Sequence, residues 1–203
     1  MPSDYQAIRD ENHRRYGTDI ARIGPMLLAD RYDDRTHFIF ELLQNAEDAL
    51  GRRKVWQGSR GVSFKLTADT LTLSHYGKPF DADDVRGVCG IAQSTKDLNA
   101  IGRFGIGFKS VYTFTERPEI HSGNEDFAIE NFVLPVQVSR NDRSKEETSI
   151  VLPLRIDDSK AVAEISDGLK QLGSNALLFL RHIEEITWSI PGGTYQPVPG
   201  SSL

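Results

Sequence analysis

A chain of 203 residues, 38% hydrophobic and 26% charged, has enough apolar material for one well-buried domain and little for two. Its formal net charge of −5 gives no bulk attraction for nucleic acid, so none is expected as a partner. No apolar run of about 18 residues offers a membrane span, the polar start lacks a signal-peptide core, and a single cysteine, Cys89, excludes an intrachain disulfide and agrees with a reducing, cytoplasmic setting.

Residues 4–16 read as a helix. Residues 18–29 read as a second helical segment broken near Gly24 and Pro25, because proline removes a helical donor and clashes with the preceding turn. Asp33 or Asp34 is placed to cap the next helix, at about 35–54. Two alternating runs, 62–66 and 71–74, follow as a hairpin or as neighbouring strands. Residues 81–88 read as a short helix opened by aspartates, whose charge suits the positive end of the helix dipole. Residues 90–107, rich in Gly, Ser, Thr and Asn and without periodicity, read as a mobile loop. Then come a helical stretch at 108–114, strands at 119–121, 127–131, 133–138 and 148–155, a helical region at 159–180 with a break near Gly173, and a strand at 185–190. The Gly-, Pro- and Ser-rich residues 191–203 read as a tail, a linker to further domains of a longer chain, with residues 1–190 as the domain proper. Antiparallel strands with helices collected on one side predict an α+β fold, a two-layer α/β sandwich with a mostly antiparallel mixed sheet covered on one face.

The 35–54 helix carries the first chemical pattern. Each residue advances about 100°. With Phe38 as origin, Leu42, Ala49, Ile39, Leu50 and Leu43 fall within an arc of roughly 140°. Glu41, Asn45 and Asp48 line one edge of that arc, so a carboxylate, an amide and a second carboxylate sit where core meets cleft. Such an edge also describes a helix whose polar side simply meets water. The string Glu41-Leu-Leu-Gln-Asn45-Ala-Glu-Asp48-Ala49, however, resembles the N-box of the GHKL (Bergerat-fold) ATPases, the superfamily of gyrases, ninety-kilodalton heat-shock chaperones, histidine kinases and mismatch-repair proteins. That resemblance implies Glu41 as the general base that orients water, Asn45 as a Mg²⁺ ligand through its side-chain oxygen, and Asp48 as support for the base of an ATP pocket. The chemistry is coherent, since Mg²⁺ takes hard oxygen ligands and phosphoryl transfer asks mainly for positioning and charge neutralisation.

The second pattern is Ile101-Gly102-Arg103-Phe104-Gly105-Ile106-Gly107-Phe108-Lys109-Ser110. Glycines at this spacing let backbone approach a ligand closely, and a helix following them points free N–H groups back at the loop. The stretch resembles the G2 box and lid of heat-shock-type GHKL proteins, with Gln93-Ser94-Thr95-Lys96 resembling the start of the lid. Ser94 and Thr95 would then touch phosphate on closure. Lys109 is either a phosphate partner or a plain surface lysine. Thr148 resembles the threonine that contacts the adenine end from the far strand.

One segment departs from the family. Where GHKL proteins carry Asp-x-Gly-x-Gly, whose aspartate accepts from the adenine amino group, this chain reads His75-Tyr76-Gly77-Lys78-Pro79. A neutral imidazole retains one acceptor nitrogen and a protonated one has none, so adenine recognition is expected to weaken as pH falls from about 8 to about 5.5. Alternatively, His75 only ends a strand. The His75-x-Gly77-x-Pro79-Phe80 turn, Ser94-Thr95-Lys96, the 105–110 loop and Pro118-Glu119-Ile120-His121-Ser122 together resemble the N-terminal ATPase-like domains of sacsin and the NO VEIN proteins. The resemblance implies Mg²⁺-dependent binding and slow hydrolysis of ATP coupled to lid closure, further domains in the same chain, a client protein the sequence does not name, and pairing with a second copy. The rivals are a nucleotide-gated binding module and a chaperone-like scaffold without hydrolysis.

Overall fold

The computed structural model describes residues 1–17, 34–55, 58–91, 107–172, 180–193 and 198–199 of the chain. Three helices precede the far half of the sheet: α1 (Tyr5–Tyr16), α2 (Phe38–Gly51, entered through a 3₁₀ turn at Arg35–His37) and α3 (Ala82–Cys89). Strands β1 (Gly61–Leu66) and β2 (Thr70–His75) lie between α2 and α3. A 3₁₀ helix, Gly107–Thr113, leads into β3 (Glu119–Ser122), β4 (Glu125–Glu130), β5 (Leu134–Gln137) and β6 (Thr148–Pro153), followed by α4 (Ala161–Lys170), β7 (Glu185–Ser189) and the short β8 (Val198–Pro199).

These strands make one sheet in the order β5-β4-β3-β6-β2-β1-β7-β8. All neighbours are antiparallel except β1 and β7, which run parallel. The fold is thus the mixed, mostly antiparallel α+β sandwich the sequence predicts. Strand alternation builds its inner face, because successive side chains point to opposite sides of a sheet. Val62, Phe64 and Leu66 of β1, Leu71 and Leu73 of β2, and Ile150 and Leu152 of β6 are buried, and they join Phe38, Ile39, Leu42, Leu43, Ala46 and Leu50 of α2 and Ile165 and Leu169 of α4 in one core. All six apolar positions assigned to the α2 face are buried, together with Ala46.

The boundaries follow local chemistry. Asp34, rather than Asp33, caps the entry to α2, accepting from the Thr36 N–H at 2.8 Å and its hydroxyl at 2.7 Å. Asp81 opens α3 with a reciprocal capping box, its carboxylate taking the Asp83 and Asp84 N–H groups while the Asp84 carboxylate takes its own N–H. The expected helix at 18–29 and most of the expected loop at 90–107 lie outside the described residues. Inside the sequence-defined tail, residues 198–199 pair antiparallel with Glu185 and Ile186, so part of the expected linker joins the sheet.

Candidate functional site

Glu41 stands on the polar edge of α2, its side chain 22% exposed. His37, one helical turn earlier, meets its Oε1 through Nε2 at 3.1 Å, and because a carboxylate accepts, the imidazole donates. The other oxygen faces the end of the glycine loop: a Cβ built on Gly107 would lie 2.0 Å from Glu41 Oε2. A side chain there would push the Glu41 carboxylate out of this position. The two sequence patterns, far apart in the chain, therefore meet at one carboxylate. Asn45, one turn beyond, is half-buried, and its Nδ2 is buried without a hydrogen-bond partner among the described residues. A native fold rarely leaves such a group unmatched, so Asn45 presents an unspent amide beside Glu41. Asp48 is exposed at the rim, its pKa raised by partial loss of water with Arg52 opposing.

The opposite wall is the turn after β2. Gly77 is wedged against α2: a Cβ there would lie 2.6 Å from Ala49 Cβ and 2.9 Å from His75 Nδ1. The Lys78 N–H bonds the Ala49 carbonyl at 2.8 Å, tying the turn to the helix. His75 is buried, and its Nδ1 accepts the Gly77 N–H at 3.0 Å. Burial, with Arg52 and Arg53 nearby, pushes its pKa down to about 4. The expectation that His75 offers an acceptor nitrogen and titrates between pH 8 and 5.5 is thereby corrected. Its acceptor is already used by backbone, and its neutral form persists through that range. Thr148 stands directly opposite His75 across the β2–β6 pair and opposite Ser122 across β3–β6. It is fully buried, its hydroxyl 2.5 Å from Ser122 Oγ, which also accepts the Phe80 N–H at 3.0 Å.

Lys109 is neither a phosphate ligand nor a surface lysine here. It is buried, and its Nζ donates to the Val88 and Phe132 carbonyls. Burial moves its pKa down to about 8. The Phe132 carbonyl belongs to a turn in which Asn131 (φ 47°) and Phe132 (φ 69°) are both left-handed, a strained pair for residues with side chains. Asn12 of α1 holds the same turn from the other side, its amide donating to the Val133 carbonyl at 2.7 Å and to Cys89 O at 3.1 Å. Phe108 is a core residue. Ser94, Thr95, Lys96, Gly102, Arg103, Phe104, Gly105 and Ile106 lie outside the described residues.

Three residues escaped the sequence reading. His37 was legible from its i,i+4 spacing to Glu41. Glu47, inside the N-box string, points the other way and accepts the backbone N–H groups of Arg181 (2.6 Å), His182 (2.8 Å) and Ile183 (2.9 Å) and the His182 ring at 2.8 Å. Arg53 pins the β2 turn through the Tyr76 and Gly77 carbonyls and pairs with Glu146 at 2.7 Å. Only the folded chain reveals these last two.

A mixed sheet backed by a helix bearing Glu41 and Asn45, with a glycine-loop end packed on that glutamate, agrees with the resemblance to heat-shock-chaperone-like GHKL domains read from the sequence. Comparison with known proteins makes this particular. Residues 65–131 match the Sacsin domain family. The chain is 29% identical to Protein NO VEIN of Arabidopsis thaliana over 88% of its length and 26% identical to human Sacsin over 77%. It is also 24% identical over 78% of its length to Chaperone protein HtpG of Vibrio atlanticus. The chain is thus similar to sacsin-type and HtpG-type chaperone proteins, and it spans 7% of NO VEIN and 5% of sacsin, so these relatives are far longer proteins. Among the described residues no helix is long and apolar enough to cross a membrane.

Proposed function

We propose that the cleft between α2 and the Gly77 turn binds Mg·ATP and hydrolyses it slowly, as the ATPase module of a larger sacsin-like protein. The observation that carries this reading is the packing of Gly107 on Glu41 Oε2, which a side chain at position 107 would destroy. With Oε1 accepting from His37, the carboxylate is oriented, and its remaining lone pairs can accept from a water and take its proton. The unmatched Nδ2 of Asn45 can donate to a phosphate oxygen, which leaves its Oδ1 as the atom that would ligate Mg²⁺. When bound, Mg²⁺ supplies charge neutralisation at the phosphate oxygens. Gly77 packs directly on Ala49, so a flat base would lie against this pair rather than between them. In this reading residues 90–107 close over the nucleotide, bringing Ser94, Thr95, Lys96 and the glycines to the phosphates, and closure promotes pairing with a second copy.

The test is turnover by the chain and by its Glu41→Ala variant. Glu41→Ala should retain nucleotide affinity and lose hydrolysis by about 10²–10⁴-fold, the usual contribution of general-base catalysis. Asn45→Ala should instead weaken Mg²⁺-dependent binding. Equal loss of binding in both, with folding intact, would refute this division of roles. A second reading, nucleotide-gated binding without turnover, is favoured by the burial of Lys109, which removes a cation from the phosphate end. Binding with turnover no faster than that of Glu41→Ala would establish it.

A further inference from the structure

His75 has a consequence for which nucleotide is read. A backbone N–H can only donate, so the 3.0 Å contact with Gly77 requires His75 Nδ1 to be the unprotonated nitrogen. The neutral ring must then carry its hydrogen on Nε2. That N–H meets no acceptor among the described residues and keeps some contact with solvent, although the residue as a whole is only 2% exposed. Its setting is electropositive as well: Arg52, paired with Asp84 at 2.9 Å, and Arg53, paired with Glu146, are the charges that bear on it. An N–H donor in a positive environment matches an acceptor atom and repels an amino group.

We propose, resting on the nucleotide reading above, that His75 makes the base end of the cleft a hydrogen-bond donor, so that the site recognises 6-oxopurine triphosphates at least as well as ATP. At the 6-position adenine presents an amino donor, and hypoxanthine and guanine present a carbonyl acceptor. Directed at that position, Nε2–H gains a hydrogen bond with the 6-oxopurines and confronts N–H with N–H in adenine. Adenine is then held only where its ring N1 can shift toward His75. The Gly77 N–H fixes the tautomer. A site built to hydrogen-bond one group discriminates against an analogue that leaves its buried polar group unpaired.

The cleanest probe pair is ITP and ATP, which share every phosphate and sugar contact and differ on one edge of the base. Dissociation constants of ITP, GTP and ATP with Mg²⁺ would be measured for the chain and for His75→Asp, which substitutes an acceptor. The expected result is ITP binding equal to or tighter than ATP in the wild type, and a shift of the ITP/ATP ratio toward ATP by tenfold or more in His75→Asp. Tenfold tighter ATP than ITP in the wild type would overturn the proposal and point to another acceptor, such as Asp48. An unchanged ratio in a folded His75→Asp variant would overturn it too. Should that variant not fold, the wild-type ratio still decides, joined by a long-range ¹H–¹⁵N correlation of the His75 ring. The Nε2–H tautomer supports the proposal, and the Nδ1–H tautomer sinks it. Failure of all three nucleotides to bind would remove the nucleotide reading itself, a result distinct from binding without base preference.

Discussion

At the scale of single residues, burial rewrites what side chains can do. His75 has a folded pKa of about 4 against an ordinary 6.5, lowered by desolvation and by Arg52 and Arg53. Below pH 6.5 the unfolded chain takes up a proton that the fold refuses, so stability falls as pH drops toward 4 and is complete above 6.5. The full contribution is on the order of 3 kcal/mol for a shift of this size. Urea unfolding between pH 7.5 and 4.5 should show this loss, and His75→Asn should lack that part of it. Nucleotide affinity should show no transition from His75 between pH 8 and 5.5. Lys109 makes a complementary case. Lys109→Met leaves the Val88 and Phe132 carbonyls without their donor and should cost about 1–3 kcal/mol in urea unfolding, with nucleotide affinity of the folded variant unchanged. A phosphate ligand would give the reverse: unchanged stability and weakened binding.

At the scale of elements, α2 faces three partners at once. Its apolar stripe enters the core, Glu41 and Asn45 line its polar edge at the proposed nucleotide site, and Glu47 clamps the chain leading into β7. Three backbone N–H groups converging on one carboxylate make a charge-assisted clasp. Glu47→Ala should lower stability by about 2–4 kcal/mol, since charged hydrogen bonds contribute more than neutral ones. Amide exchange at Arg181, His182 and Ile183 should accelerate together. Exchange rates unaltered there would show that water replaces the carboxylate without loss. The clasp lies just before β7, which pairs parallel with β1 after a long excursion of the chain through β6 and α4.

At the scale of the whole molecule, ligand binding and folding are linked. A nucleotide that binds only the folded chain should stabilise it by about 2.7 kcal/mol at 100 times Kd. Melting curves with Mg²⁺ and increasing ATP or ITP should move upward, and Asn45→Ala should shrink the Mg²⁺-dependent part. No movement at millimolar nucleotide, in a folded sample, would count directly against a nucleotide site between α2 and the Gly77 turn.

Much of this was legible in sequence because it rests on local rules. The α2 stripe follows from helical period, the strands from alternation, and the caps at Asp34 and Asp81 from short-range hydrogen bonding. The N-box and glycine loop could be read as strings for the same reason, and the His37–Glu41 pair was readable by spacing. What only tertiary structure decided were the directions of polar groups whose partners lie far along the chain. Lys109 follows a glycine loop and looks like a phosphate ligand until Val88 and Phe132 present their carbonyls to it. His75 looks like an acceptor until the Gly77 N–H occupies Nδ1. Glu47 looks like one more surface carboxylate until Arg181, His182 and Ile183 arrive. A sequence fixes which atoms can donate or accept, but packing chooses the partner, since most buried polar groups are matched by whatever group of opposite sense the fold brings within reach.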